Sequence, residues 1–388
     1  MSDPRIRRAQ SCAADARRAA QEFHAGVTQP DMELVVFFCS SEYDLDALAA
    51  EMRRLFAGVQ VVGCTTAGEI GPEGCRSHSL SGASFPAQGF TAVSALLDNL
   101  SGFDHARGHV FAQLLMRKLE QRVPQAAPEN CFAILLIDGL CGCEESVAHA
   151  LQQTLGKAVL CGGSAGDDRK FIKTWVYRDG QFHSDSAVAF LVRTSLPFRT
   201  FMTHHFEATD ERLVVTEADP TRRVVSEING RPAAEEYARL LGVEVDSLGS
   251  AHFAATPMLV KIAGTDHVRA IQSANPDCSL NFFCAVDRGL VLRLGQGLDL
   301  PNNLEQVFER IEADMGTPQL VLGFNCTLRE QEVSRKRVDD RVDAAFHSNN
   351  AVGFNTYGEQ FRGAHVSQTL TGIAIGYPAQ SPKEQDHV

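Results

Sequence analysis

The chain has 388 residues, a formal net charge of −12 at pH 7 and 44% hydrophobic residues. This length suits two domains of nearly equal size, and the acidic balance argues against nucleic acid or an anionic membrane as the main partner. No stretch approaches the roughly 20 apolar residues of a spanning helix, and the arginine-rich start lacks the apolar segment of a secretory signal. We therefore expect a cytoplasmic protein, away from the membrane, that binds small ligands or proteins.

The first half of the chain alternates apolar strands with helices of 3.6-residue period. An amphipathic N-terminal helix is predicted over residues 1–25. Two related β-α-β patterns follow. They comprise the strand Glu33–Cys39, the helix Asp44–Phe56 and the strand Val59–Cys64, then the strand Cys131–Ile137, the helix Glu144–Leu155 and the strand Ala158–Cys161. Two more strands, Phe171–Tyr177 and Ser186–Val192, are joined by an Asp-Gly turn.

The second half restarts at about Pro197 and again mixes strands with helices. Its main predicted elements are the strands Leu213–Thr216 and Arg223–Ile228, the helix Leu304–Met315, the strand Leu320–Phe324, one long charged helix over Arg329–Phe346, and the strands Val352–Tyr357 and Thr369–Gly376. These patterns predict an α/β fold with α+β character, in two pseudo-symmetric halves with mixed sheets. The predicted parts are an N-terminal helix at 1–25, an N-terminal domain at 26–197, a C-terminal domain at 198–380 and a polar tail at 381–388.

An internal repeat links the two ends of the chain. Residues 63–69 (GCTTAGE) match residues 353–359 (GFNTYGE), and residues 80–83 match residues 370–373 without a gap. A weaker middle copy has the sequence GGSAGD at residues 162–167. The repeat predicts duplicated units, each with two strands, a helix, a Gly-containing turn and a return strand.

The repeated turns have two interpretations. Glycine permits a tight turn, and in the first interpretation Glu69 and Glu359 only bond the backbone there, in a structural role. Ligands also commonly bind at the strand ends of α/β sheets. In that case Thr65, Glu69, Thr356 and Glu359 would line a ligand pocket, and the protein would be a binding module for an amino acid or another small metabolite.

Several segments together resemble the FIST family. They are GCTTAGEI (63–70), CGGSAGDD (161–168), EINGRPAAEEYARLLG (227–242), LVLGFNC (320–326), GFNTYGEQF (353–361) and SQTLTG (367–372). The resemblance spans almost the whole chain in family order. It implies a two-part sensory module that binds a small ligand and passes the signal to a partner kinase, cyclase or receptor.

One stretch is similar to the haem-binding, nitric-oxide-sensing branch of that family, NosP. It is THHF at 203–206, followed by VVTEADPTRRVVSEINGRPAAEEYA at 214–238. This resemblance implies b-type haem with histidine-ligated iron as the cofactor and nitric oxide as the signal. It also implies a histidine kinase as the partner, with two-component output to cyclic-di-GMP and biofilm control.

Haem needs an apolar slot, an axial ligand and basic groups for its propionates. His204 and His205 lie in an apolar run and are the first candidates for the iron ligand, although strand-end histidines often only bond a carbonyl. His78 and His365 follow the repeated turns and are rivals. The nearby Arg76 and Arg362 are the propionate candidates. His183, His252, His267 and His347 complete the set of candidate ligands.

Two other motifs have weaker chemical signals. Cys141-Gly142-Cys143 lacks the C-x-x-C spacing of common zinc sites, so metal binding, reversible thiol chemistry and plain loop cysteines stay open. Ser164 fits the G-x-S-x-G order, but no helix is predicted after it, as a nucleophile elbow requires. We therefore expect no enzyme activity, and base rates alone favour a homodimer.

Overall fold

Three units with the same order of elements form the core of the protein. The computed structural model describes residues 5–124, 126–262 and 264–378, and the polar tail predicted at 381–388 lies outside them. The units span residues 7–86, residues 90–194, and residues 198–203 together with 300–375. Residues 206–297 form an insertion within the third unit.

The first unit begins with an edge strand. Residues 7–11, which the sequence assigns to a helix, instead pair antiparallel with residues 80–84. The helix begins at Ala16, because the Asp15 carboxylate accepts a hydrogen bond from the Arg18 backbone N–H at 2.9 Å and so caps the helix. The elements are β1 (Arg7–Ser11), α1 (Ala16–Val27), β2 (Met32–Ser40), α2 (Leu45–Leu55), β3 (Gln60–Thr66), β4 (Glu69–Gly71), β5 (Gly74–Arg76) and β6 (Leu80–Pro86).

The second unit repeats this order, so the middle copy inferred from the sequence is complete. Its elements are β7 (Phe90–Leu97), α3 (His105–Arg122), β8 (Cys131–Ile137), α4 (Glu144–Leu155), β9 (Val159–Ser164), β10 (Val176–Arg178), β11 (Gln181–His183) and β12 (Ala187–Thr194). One predicted strand is wrong in part, because residues 171–175 form a loop. The Asp167 carboxylate holds that loop by accepting hydrogen bonds from the backbone N–H groups of residues 171–173.

The insertion follows the first strand of the third unit, β13 (Phe198–Thr203). Its elements are β14 (Phe206–Asp219), β15 (Val224–Ile228), β16 (Arg231–Pro232), α5 (Ala233–Leu241), α6 (Ser250–Ala255), β17 (Met258–Ile262), β18 (Thr265–Arg269), β19 (Ile271–Ala274), β20 (Leu280–Phe282) and β21 (Val291–Gly297). The strands form one antiparallel sheet in the order β18-β17-β21-β14-β15-β20-β19, with β16 beside β15. The strand predicted at Leu213–Thr216 is the middle of the longer β14.

The rest of the third unit returns to the common order. Its elements are α7 (Leu300–Met315), β22 (Leu320–Cys326), α8 (Thr327–Lys336), α9 (Asp339–Ser348), β23 (Ala351–Thr356), β24 (Glu359–Phe361), β25 (Ala364–Val366) and β26 (Leu370–Ile375). The single helix predicted over Arg329–Phe346 is in fact two helices. Arg337 adopts a left-handed backbone with φ 55° and ends α8.

Each unit gives its short hairpin to the sheet of another unit. The first sheet has the order β1-β6-β2-β3-β10-β11, the second β25-β24-β9-β8-β12-β7, and the third β13-β26-β22-β23-β4-β5. The hairpin of the second unit thus completes the first sheet, that of the third unit completes the second, and that of the first unit completes the third. We call β4–β5, β10–β11 and β24–β25 the exchanged hairpins. The exchange is cyclic, so the three units share one pseudo-symmetric core.

The alternation of side chains along the strands explains how the three sheets pack. In β2, Val36 and Phe38 face a central core shared by all three sheets, whereas Val35 and Phe37 face the helices outside. The ring of Phe38 lies 4.7 Å from that of Phe354 and 6.4 Å from that of Phe324. Such apolar runs, buried on both faces, are typical of strands covered on both sides. The predicted mixed α/β fold with duplicated β-α-β units is confirmed.

Helices cover the outer face of each sheet. The first sheet packs against α1 and α2, the second against α3 and α4, and the third against α7 and α9. Within the described ranges, no helix has both the length and the hydropathy that a bilayer crossing needs.

Candidate functional site

A cleft of about 980 Å³ lies where the insertion meets the third unit, and we call it the main cleft. Its walls come from β13, α7, the tip of the β17–β18 hairpin and the exchanged hairpin β24–β25. Small-molecule and cofactor sites measure about 300–1,000 Å³ and often lie at such boundaries. The lining residues are Arg199, Thr200, Phe201, Met202, Ile262, Thr265, His267, Val307, Arg310, Ile311, Ala313, Asp314, Phe361, Arg362 and Ala364.

The main cleft combines apolar walls with a basic lining. Its apolar surface includes Phe201 and Met202, which belong to the apolar run that the sequence singled out. Among the described lining residues, three arginines outnumber one carboxylate, that of Asp314, which pairs with Arg199. The apolar walls and the excess of positive charge favour a partly apolar ligand that carries acidic groups.

His267 is the histidine that lines the main cleft. It lies on β18 opposite Val260 of β17, and its Nδ1 is buried without a hydrogen-bond partner among the described residues. Burial lowers the pKa of His267, and the charges of Arg269 and His204 lower it further. The ring is therefore neutral at pH 7, which is the form that binds metals.

Sequence reasoning ranked His267 low because no motif marks it. In the short strand TDHVR (265–269), successive side chains point to opposite faces, so Thr265 and His267 lie on one face. The opposite walls of the main cleft come from β13 and α7, which are distant in sequence from Thr265 and His267. Arg362, by contrast, was predicted as a cofactor-binding residue and does line the main cleft.

His204 lies beside the main cleft, with both ring nitrogens engaged. Its Nε2 donates to the Asp266 carbonyl oxygen at 2.9 Å, and its Nδ1 accepts from the Phe206 backbone N–H at 3.3 Å. Burial lowers the pKa of His204, so the ring is neutral. The bond to Asp266 fixes β18 next to His267, and it uses the nitrogen that an iron ligand would need to free.

His205 belongs to a buried polar cluster. Its ring Nε2 donates to a Glu332 carboxylate oxygen at 2.9 Å, and its Nδ1 accepts from Arg329 at 3.1 Å. Burial lowers the pKa of His205, which matches a neutral ring between a cation and an anion. Arg329 also donates to the side chain of Asn325 at 3.1 Å, and Lys336 donates to Glu332 at 2.6 Å. We call these five side chains the His205 cluster.

The charges in the His205 cluster depend on one another. Burial lowers the pKa of the Arg329 guanidinium to about 10, so it stays charged at neutral pH. Burial opposes the charge on Glu332, but hydrogen bonds from His205 and Lys336 hold its pKa at about 2. His205 therefore links a buried cation to a buried carboxylate, and its ring is only 1% exposed.

The other sequence candidates lie apart from the main cleft. His78 packs on Tyr43 with ring centroids 4.7 Å apart and pairs with Glu42 at 3.3 Å. Arg76 pairs with Asp343 at 3.4 Å. His365 is buried, its Nδ1 lies 3.2 Å from the Gln360 amide, and burial lowers the pKa of the ring to about 4.

The glutamates of the two repeated turns face inward. Glu359 accepts hydrogen bonds from the Thr369 backbone N–H at 3.2 Å and hydroxyl at 2.6 Å, and it bonds the Thr356 hydroxyl. Glu69 makes the same contacts with Ser79 and Thr66. Both carboxyl groups are fully buried. Burial raises the pKa of Glu69 to about 8 and that of Glu359 to about 7, with the hydrogen bonds offsetting part of the effect.

We expect Glu359→Gln to flatten the pH dependence of stability. The folded pKa of about 7 lies above the ordinary value of about 4.3. As pH rises, the Glu359 carboxyl therefore loses its proton at a lower pH in the unfolded chain than in the folded chain. The contribution of Glu359 is fully present below about pH 4 and is lost as pH rises through about 7. Glutamine keeps the hydrogen bonds of the neutral acid but cannot ionise. As pH rises across this window, the free energy of unfolding of the variant should therefore fall by about 1 kcal/mol less per pH unit than that of the unmodified chain.

Urea unfolding at pH 5, 6 and 7 measures this effect. Glu309→Gln, on the exposed face of α7, is the matched control and should leave the pH profile unchanged. A Glu359→Gln profile as steep as that of the unmodified chain would show that Glu359 is ionised in the folded protein.

A second, polar pocket of about 390 Å³ lies near the first repeated turn. It contains Gly68 and Arg76 of the first unit and the side chains of Asn325 and Asn355, at the carboxyl ends of the parallel strands β22 and β23. None of the four residues predicted for a turn-based ligand pocket lines it: Thr65, Glu69, Thr356 and Glu359. The Thr65 hydroxyl instead bonds the backbone of Trp175. The polar pocket therefore lies beside the first repeated turn and not at the predicted residues.

The last two features are Ser164 and the side chains that could hold a metal ion. Ser164 is buried at the end of β9, where its hydroxyl accepts from the Gln360 amide at 2.8 Å, and residues 165–174 after it form no helix. Across the described part of the chain, no group of three or more His, Cys, Asp or Glu side chains is arranged to hold a metal ion. A haem with one histidine ligand does not require such a group.

Comparisons with known proteins agree with this architecture. The FIST N domain model matches residues 33–231, about half of the chain, and the FIST C domain model matches residues 233–362. Uncharacterized protein MJ1623 of Methanocaldococcus jannaschii is 29% identical over 113 residues, which cover 29% of this chain and 22% of that protein. The chain thus matches only about a fifth of that relative's length. The chain belongs to the FIST family, whose domains are sensory signalling domains.

Proposed function

We propose that this chain is a nitric oxide sensor that binds b-type haem in the main cleft. The observation that carries the proposal is His267, which lines a cleft with apolar walls and three arginines and whose Nδ1 has no hydrogen-bond partner among the described residues. An orphaned ring nitrogen is unfavourable unless a ligand or water satisfies it. The proposal assigns no catalytic role to the chain and places it in the cytoplasm.

The residues present fit haem at the level of donor chemistry. His267 is the proposed axial ligand, and Arg199, Arg310 and Arg362 are the proposed partners of the propionates. Haem, when bound, would supply an iron atom able to bind nitric oxide. His204 becomes a positioning residue, since it holds the Asp266 carbonyl next to His267. The proposal thus moves the ligand from His204 and His205, whose ring nitrogens are all hydrogen-bonded, to His267.

The position of the main cleft suggests how a signal would leave it. One wall belongs to the insertion, and the others belong to the third unit. A ligand that contacts both sides more strongly in one arrangement shifts the population toward that arrangement. We propose that this shift changes the activity of a partner histidine kinase, and through it two-component signalling, cyclic-di-GMP levels and biofilm formation.

The test uses the reduced, haem-loaded full chain. Adding nitric oxide should shift its Soret band, and the loaded chain should then change the autophosphorylation rate of the partner histidine kinase several-fold. A Soret band that does not respond to nitric oxide would contradict the sensing step. A kinase rate that is independent of nitric oxide, in the presence of a normal spectral response, would contradict the output step.

The polar pocket near Gly68 supports a second candidate function. Its amide and charged side chains suit an amino acid or another small polar metabolite without haem. A ligand that binds only the native state raises the thermal midpoint. Thermal-shift screening against metabolites should then give a hit that Asn355→Ala removes. A flat response to every metabolite, beside a clear shift with haem, would reject this candidate.

A further inference from the structure

We propose that Cys141 and Cys143 form a redox-active dithiol that closes reversibly into an intramolecular disulfide. The two sulfur atoms lie 3.5 Å apart in the loop between β8 and α4. A disulfide needs about 2.05 Å, so closure requires the sulfurs to approach by about 1.5 Å. This inference is independent of haem and goes beyond the proposed function.

The loop has both room and access for the reaction. Gly142 is exposed and has φ 70°, and no described atom lies within 4 Å of the place where a Cβ would stand. Both cysteines are intermediate in exposure and pack partly against the core beneath α3 and α4, whereas six of the other nine cysteines are buried. A small oxidant can therefore reach this pair, and the backbone between the two sulfurs is free to adjust.

The two thiols are in direct contact. The Cys143 sulfur lies 3.5 Å from the Cys141 sulfur and 3.6 Å from the Leu100 carbonyl oxygen. Hydrogen bonding to Cys143, together with burial, raises the pKa of Cys141 well above its usual range. Either thiol can begin the exchange, and the other then resolves the mixed disulfide.

The oxidant we name is a low-molecular-weight disulfide such as oxidised glutathione. One thiolate of the pair attacks one sulfur of that disulfide, forms a mixed disulfide and releases one small thiolate, which takes up the proton that the attacking cysteine lost. The other cysteine then loses its proton and attacks the cysteine sulfur of the mixed disulfide, and the second small thiol leaves with that proton. Two electrons pass from the dithiol to the oxidant, which ends as two thiols.

The dithiol loop contacts the insertion directly. Arg223 of the insertion donates to the Gly142 carbonyl oxygen at 3.2 Å and to the Glu144 carboxylate at 2.6 Å. The neighbouring Glu145 accepts from the Ala285 backbone N–H at 3.0 Å. Because closure must turn the backbone around Gly142, it alters a contact that holds the insertion on α4. Thiol oxidation would thus act where the insertion meets the second unit.

The test incubates the reduced full chain with oxidised glutathione, followed by alkylation and peptide mass analysis. The peptide containing residues 141–143 should lose two hydrogen atoms and two alkylation sites, and dithiothreitol should restore both. Cys141→Ser and Cys143→Ser should each accumulate a glutathione adduct on the cysteine that remains, because neither variant can close the disulfide. Cys12→Ser, at an exposed cysteine elsewhere, is the matched control and should behave like the unmodified chain.

Three outcomes would overturn the inference. The first is that both thiols remain alkylatable after the oxidant has modified Cys12. The second is that the disulfide joins one of them to a different cysteine. The third is that neither Cys141→Ser nor Cys143→Ser forms a glutathione adduct on the cysteine that remains.

Discussion

Glu332→Ala is expected to lower the free energy of unfolding by about 3–5 kcal/mol. Glu332 is the carboxylate of the His205 cluster and is 4% exposed, and it receives hydrogen bonds from His205 and Lys336. Its loss leaves the guanidinium of Arg329, which is 2% exposed, without the nearest compensating charge. It also leaves the His205 N–H without an acceptor.

Urea unfolding of the full chain at pH 7 measures this loss. Glu330→Ala is the matched control, because Glu330 lies on the same helix and pairs with Arg169 at the surface. Exposed ion pairs contribute about 0–1 kcal/mol, so this control should have a small effect. Equal effects of the two substitutions would mean that the His205 cluster contributes no more than a surface pair.

His267→Ala is expected to lower haem affinity by more than about 100-fold. The substitution removes the proposed axial ligand, and loss of an outer-shell partner alone typically costs 10–100-fold. His204→Ala should cost about tenfold, because His204 only positions β18 through the Asp266 carbonyl. The fold should survive both changes, since neither ring belongs to a hydrophobic core cluster.

Haem titration followed by absorption compares these variants. His347→Ala, which changes a surface histidine bonded to the Pro72 carbonyl, is the control and should bind haem normally. Full uptake by His267→Ala together with loss in His204→Ala or His205→Ala would return the ligand role to the pair that the sequence favoured. Far-ultraviolet circular dichroism separates loss of haem from loss of fold.

Local patterns were enough to predict the units but not their connection. The β-α-β units were predicted from the apolar runs at 33–39 and 131–137 and from the repeated glycine turns. Burial patterns and backbone freedom can be read from such local segments. The sheet that each exchanged hairpin joins could not be predicted from the sequence. Residues 69–71 form a three-residue strand, and nothing in so short a strand says which sheet it joins.

The candidate site was predicted in part for the same reason. The apolar run around Phe201 and the choice of Arg362 came from sequence and both line the main cleft. The hydrogen bonds of His204 and His205 could not be predicted from the sequence, because their partners lie 62 and 127 residues away. His267 was undervalued because its orphaned nitrogen is a property of the packed structure.

Haem titration of the unmodified full chain decides whether the main cleft binds haem. We predict a Soret band that grows with added haem and saturates at one haem per chain, with apo protein that is already folded. No Soret band after reconstitution, or haem uptake without saturation, would contradict binding in the main cleft.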